Sequence, residues 1–234
     1  MRPPKKVDCQ TCDARLSSLF SCLDKAAVAR LSAGSICNVY NRGQMVFHEG
    51  NRPLGLYILR QGKIKIFKTG IDGSVQIVRL AGIGNFIGYR ALLGEQVYSA
   101  SAEAIEDCTV CFLEKSIFYD YLREEKTLSM GFLHLLSREL REAENTVLDL
   151  AQKSVRERLA EALLFLKEKY GAEDDGTLRA ILSREEMANL IGTAKETLIR
   201  CLAEFKLEGL LETNGRVIRL LNQDSLVNVA RVDY

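Results

Sequence analysis

Between Thr127 and Gln152, the residues Leu133, Leu136, Leu140, Ala143, Val147 and Leu150 recur in alternating steps of three and four. That spacing keeps one apolar seam along a helix, the pattern by which two helices pair in a left-handed supercoil. Arg138, Glu139, Arg141, Glu142 and Glu144 lie between the seam residues, as on a solvated flank. A dimer helix is the natural reading; the alternative is one amphipathic helix packed on its own domain. Leu128, Phe132 and Leu135 form a second apolar row, which predicts that the helix serves both its own domain and a twin.

The pattern before this helix has a different period. Ten of the chain's seventeen glycines fall between Gly43 and Gly94, separating the short runs Met45–Phe47, Leu56–Leu59, Lys63–Phe67 and Val75–Val78. Short strands joined by glycine turns indicate an antiparallel barrel or roll. Ile71-Asp72-Gly73-Ser74 reads as a hairpin turn, and a further strand pair is predicted at Tyr98–Glu103 with Thr109–Leu113. Leu16–Leu31 suits a short helix or two, and Ser116–Arg123 a brief helix opened by a serine cap.

After the seam, Ser154–Tyr170 is amphipathic, with Val155, Leu159, Leu163, Leu164 and Leu166 directed to a core. Ser183-Arg184-Glu185-Glu186 then forms a capping box that opens a helix through Leu190. Ile191-Gly192-Thr193 makes a tight turn, and a second helix runs from about Ala194 to Leu207 with Leu198, Leu202 and Phe205 packing it back. Lys195, Glu196, Ile199 and Arg200 point outward near its start, the helix-turn-helix arrangement for a major groove. Leu210–Thr213 and Arg216–Leu220, joined by Asn214-Gly215, complete a hairpin wing. The expected division is a Cys-containing arm at 1–22, a β-roll domain at 23–126, the dimer helix at 127–152 and a helix-turn-helix domain at 153–234.

Composition narrows the class. Hydrophobic content of 47% and charged content of 27% suit a globular protein, and no run is long enough to span a bilayer. The polar start lacks a secretory signal, so the expected compartment is the cytoplasm, with reduced thiols among the seven Cys. A net charge of +1 gives no global sign of nucleic acid, so any DNA face depends on local placement of Lys and Arg. Cys9 and Cys12 form a C-x-x-C pair on the arm, with Cys22 following; a metal site needs further ligands.

In Gly62-Lys63-Ile64-Lys65, Gly88-Tyr89-Arg90-Ala91-Leu92-Leu93 and Gly192-Thr193-Ala194-Lys195-Glu196-Thr197-Leu198-Ile199-Arg200, taken in order, the sequence resembles the superfamily of the cyclic-AMP receptor protein and the fumarate and nitrate reduction regulator (CRP/FNR). The resemblance covers nearly the whole chain. It implies an α+β fold: an N-terminal antiparallel β-roll of the cyclic-nucleotide-binding type, a long dimerisation helix and a C-terminal winged helix-turn-helix. It also implies a non-enzymatic transcription regulator that binds a pseudo-palindromic operator in double-stranded DNA as a homodimer, with RNA polymerase as a further partner and no membrane.

Residue by residue, the resemblance places Glu196 and Arg200 at the family's acidic and arginine reading positions. A carboxylate can accept from cytosine N4 while a guanidinium bridges guanine O6 and N7. Lys195 sits at a basic base-contacting position; Ile199 replaces a usual Ser and can pack only on a thymine methyl. Thr193, Lys206 and Arg216 are candidate phosphate contacts, with solvated surface as the alternative for the last two. In the sensor, the cassette positions that carry Glu and Arg in cyclic-nucleotide binders are Gly88-Tyr89 and Tyr98-Ser99 here, so the effector pocket of Gly88, Tyr89, Arg90, Tyr98 and Ser99 is not expected to take cyclic AMP. Arg90 could substitute for the missing cation, or sit in a surface ion pair.

In the oxygen-responsive branch, N-terminal cysteines and one strand cysteine hold a [4Fe–4S] cluster. Cys9, Cys12, Cys22 and Cys111 are the corresponding candidates, although the gap before Cys22 is longer than in that pattern. The other reading makes Cys111 a small buried hydrophobe and the arm disordered or zinc-bound. Cys37, Cys108 and Cys201 read as core or incidental thiols. Rival functions are a cyclic-nucleotide-responsive or effector-independent regulator of the same fold and, from another class, a thiol-redox protein using Cys9 and Cys12.

Overall fold

The computed structural model describes residues 8–231; the first seven residues of the arm lie outside that range. Packing divides the chain into two compact units. One comprises the chain through Ser74 with Val78–Leu140, the other Val75–Ile77 with the chain from Arg141 onward.

The first unit begins with α1 (Asp13–Leu16), a 3-10 turn at Leu19–Cys22 and α2 (Lys25–Gly34). Strands β1 (Ser35–Tyr40), β2 (Met45–Phe47), β3 (Gly55–Gln61), β4 (Ile64–Thr69), β5 (Val75–Ala81) and β6 (Phe86–Ile87) lead to α3 (Tyr89–Leu93). Then come β7 (Ser101–Ala104), β8 (Cys108–Glu114), α4 (Lys115–Glu124) and the long helix α5 (Lys126–Gln152), of which the residues through Leu140 belong to this unit. The strands form two four-stranded sheets, β1-β8-β3-β6 and β2-β7-β4-β5. Alternation drives the roll: Ile64 and Ile66 of β4 are buried, while Lys65 pairs across the ladder with Glu103 at 2.9 Å.

Two expectations are corrected. The segments at β7 and β8 are both strands, but they do not pair: β7 joins β2 and β4, whereas β8 joins β1 and β3. Consecutive strands here cross between sheets, which a hairpin reading of adjacent runs misses. Ser116 does not cap α4; Glu114 holds that position, and the Ser116 hydroxyl donates to the Glu114 carboxylate at 3.0 Å.

Gly62 shows why glycine punctuates the roll. Its φ is +92°, and a Cβ there would sit 2.6 Å from Cys108 Sγ and 2.7 Å from the Asp107 carbonyl. Beneath the first sheet, Phe20, Phe86, Tyr89, Phe118 and Tyr121 form a core into which α5 sends Leu128 and Phe132. Phe132 lies 5.1 Å from Phe86 and 5.2 Å from Phe118, ring to ring. The second apolar row of the helix thus serves its own domain, and Leu135 and Leu136 lean partly on the same core.

The second unit contains α6 (Val155–Tyr170), α7 (Arg184–Ile191), α8 (Lys195–Leu207), the strands β9 (Leu211–Asn214) and β10 (Val217–Leu220), and α9 (Gln223–Ala230). Capping boxes open both α6, through Ser154 and Glu157, and α7, through Ser183 and Glu186. None of the helices is long and apolar enough to cross a membrane among the described residues.

Candidate nucleic-acid interface and sensor roll

The reading unit is built outward from its turn. Ser183 Oγ accepts from Glu186 N at 3.1 Å, and the Glu186 carboxylate accepts from Ser183 N at 2.6 Å, fixing the start of α7. Gly192 ends it with φ +66°, where an L side chain would be strained. Two residues absent from the sequence reading hold the unit together. Arg158 of α6 donates to the carbonyls of Ile191 at 2.8 Å and Gly192 at 3.2 Å, pinning the turn. Arg156 stacks 4.7 Å over the Phe205 ring and pairs with Glu204 and Glu208, bracing the far end of α8. No sequence spacing joins these residues, because their partners lie more than thirty positions away.

Leu198, Leu202 and Phe205 are buried, which turns Lys195, Glu196, Ile199 and Arg200 outward. These four make a contiguous polar and apolar patch on the first two turns of α8, with Lys206 exposed two turns further on and Thr193 half-buried in the turn. Ile199 is 47% exposed, a large aliphatic side chain left in water beside a carboxylate and a guanidinium. The wing is tied in by Arg184, whose Nη2 donates to the Gly215 carbonyl at 2.9 Å. Burial pulls the Arg184 guanidinium below its ordinary value.

The sensor positions are disposed differently. Tyr98 is buried and stacks on Phe47 at 3.8 Å with an interplanar angle of 14°. Gly88, at φ +82°, approaches so closely that a Cβ would lie 3.0 Å from the Tyr98 ring. Phe47, Leu59, Ile64, Ile66, Ile87, Tyr98 and Val110 share one core, so the roll interior beside Gly88 is packed with the chain's own rings and aliphatics. Arg90 and Ser99 are exposed, and no ion pair to Arg90 is found among the described residues.

The cysteines require a correction. Cys111 lies on β8 as expected, but opposite Cys37 of β1 in the ladder, and the two are joined as a disulfide. Strand register across 74 positions brings them together, so Cys37 is not an incidental thiol and Cys111 is not free to be a ligand. The C-x-x-C segment is also not a bare polar arm. Arg15 donates to the carbonyls of Cys9, Gln10 and Phe20, and both Cys9 and Cys12 are buried while Cys22 is exposed. Among the described residues, no three Cys, His, Asp or Glu side chains are grouped to hold a metal ion. Cys9, Cys12, Cys22 and Cys111 therefore do not fit a [4Fe–4S] cluster in this arrangement.

On the isolated chain, the seam residues Leu133, Leu140 and Val147 are 57%, 60% and 68% exposed, and Leu150 is also exposed. Ala143 is exposed beside them, while Leu136 is half-buried against the roll.

Comparison with known proteins agrees with these two parts. A cyclic nucleotide-binding domain model matches residues 37–125, and a Crp-like helix-turn-helix domain model matches residues 157–229. The cyclic AMP receptor protein of Thermus thermophilus is 30% identical over 192 residues, covering 82% of this chain and 87% of that protein. The fumarate and nitrate reduction regulatory protein of Vibrio cholerae is 28% identical over 193 residues, covering 82% of this chain and 77% of that protein. Among solved structures, FixK2 from Bradyrhizobium japonicum superposes with a TM-score of 0.76 at 24% identity, over 86% of this chain and 99% of that chain, a likeness of fold.

Proposed function

The chain belongs to the CRP/FNR family of transcription regulators, and from that premise we propose that it works in the cytoplasm as a homodimer that reads a pseudo-palindromic operator and acts on RNA polymerase. The observation that carries this reading is the first two turns of α8, where Lys195, Glu196, Ile199 and Arg200 stand free of the core on a helix entered from a turn that Arg158 pins and braced at its far end by Arg156. Rigid placement of a few donors, acceptors and one methyl-bearing side chain is what major-groove readout requires. Two copies paired along the α5 seam would present two reading helices to half-sites about 34 Å apart.

Selection of a binding site from random DNA, followed by anisotropy titration at fixed salt, tests the reading. Arg200→Ala should lose about 1–3 kcal/mol on the selected site and relax preference at one base pair. Equal losses on selected and random DNA would contradict base readout by Arg200.

The packed roll supports a regulator that does not take cyclic AMP as its signal. Tyr98 fills the space beside Gly88, and burying a cyclic phosphate there without a cation would be costly. Calorimetric titration with cyclic AMP should show no binding heat. A thiol-redox role for Cys9 and Cys12 is disfavoured, because burial pushes the Cys9 thiol up where an attacking thiol needs a lowered value.

A further inference from the structure

We propose that Glu139 is the residue through which the roll positions the seam helix, with Arg79 and Tyr89 as its partners; this rests on the reading of α5 as a dimer helix. Glu139 immediately precedes the seam residue Leu140 and lies three positions after Leu136. One carboxylate oxygen, Oε1, accepts from Arg79 Nη1. The same guanidinium donates from Nη2 to the Phe86 carbonyl at 2.7 Å, so Arg79 is anchored at β6 while it grips α5. The Glu139 side chain is only 10% exposed, which places this ion pair largely out of water.

The second oxygen is the informative one. Glu139 Oε2 and the hydroxyl of Tyr89 on α3 are both buried and close enough to feel each other, yet neither makes a hydrogen bond of full geometry. Burial first, and then the neighbouring Glu139 carboxylate, push the Tyr89 phenol above its ordinary value, so it retains its proton. An unsatisfied phenol beside an unsatisfied carboxylate oxygen has an evident second arrangement. A small shift of α3 or α5 lets the hydroxyl donate to Oε2 in a charge-assisted hydrogen bond, relieving both groups.

Tyr89 already touches α5 at a second point, its ring 5.6 Å from that of Phe132, two turns before Glu139. Tyr89 also follows Gly88 directly, whose left-handed backbone fixes the entry to α3. Any repacking of the segment from Gly88 to Leu93 therefore moves the phenol relative to Glu139, and with it the turn of α5 that bears Leu136 and Leu140. Glu139 is a positioning residue in this scheme, and the open and closed phenol contacts are the two states it distinguishes.

Tyr89→Phe is the sharpest test, since it removes the hydroxyl and keeps the ring on Phe132. The variant cannot close the contact and is held in the open arrangement. The expected result is an unchanged or raised melting temperature, altered hydrogen exchange at the amides of residues 132–140, and about a tenfold change in the ratio of selected-site to random-DNA affinity. Glu139→Gln should disturb the same amides. A second design, Arg79→Met with Glu139→Met, replaces the pair by apolar groups that keep the fold, and should uncouple that exchange from Tyr89→Phe. Wild-type exchange and an unchanged affinity ratio in Tyr89→Phe would overturn the proposal. If the wild-type chain prefers no DNA site, the regulator reading fails instead, while exchange along α5 still decides the role of Glu139.

Discussion

Leu140→Ala probes the seam directly. In the single chain this leucine is 60% exposed, and it sits near the middle of the row that runs from Leu133 to Leu150. Covering such a side chain removes roughly 100 Å² of apolar surface from water, and truncation to alanine forfeits about 2 kcal/mol of that gain at about 25 cal/mol per Å². A two-fold dimer loses the contact in both chains, about 4 kcal/mol together, which corresponds to roughly a thousandfold weaker dimer constant. Sedimentation equilibrium over a wide concentration range measures it. The control is Leu148→Ala, also apolar and 51% exposed but off the seam. That change should leave the dimer constant within a few-fold of wild type. Equal constants for Leu140→Ala and wild type, or equal weakening by the two variants, would refute pairing along this row.

Gly62→Ala, which forces a Cβ into van der Waals overlap with Cys108 and the Asp107 carbonyl at a positive φ, should destabilise the roll by about 2–3 kcal/mol in chemical denaturation. Thiol titration of the denatured, unreduced chain should find five free cysteines and reach seven only after reduction. In the native chain Cys22 should react first, because the other four free thiols are buried. Its rate should keep rising above the ordinary thiol value, since partial desolvation by the surrounding chain lifts the thiol pKa of this otherwise exposed residue and the thiolate is the attacking species.

Features set by local spacing were legible in the sequence. The capping box at Ser183 and Glu186, the Gly192 turn, the Asn214-Gly215 wing and the period of α5 all depend on residues within a few positions of one another. What escaped depends on distant register. The partnership of Cys37 with Cys111 and the assignment of β7 and β8 to separate sheets follow from ladders whose strands are tens of residues apart. Tyr98 read as a pocket position, and its packing on Phe47 emerges only when β2 and the loop before β7 meet. Arg156 and Arg158 drew no notice in the sequence, because the Phe205 ring under the one and the Ile191 and Gly192 carbonyls held by the other lie more than thirty positions away.

The ladder that joins β1 to β8 has a consequence for how the polypeptide acquires its shape. Ser35 meets Leu113, and Gly55 meets Glu114, so the first sheet cannot close until residue 114 has left the ribosome. Closing loops of that size delays barrier crossing, whereas helices α7 and α8, joined by a three-residue connection, need only nearby contacts. During synthesis the roll therefore waits longest with its apolar strands unpaired, and a nascent chain stalled before β8 would be the species most prone to aggregate.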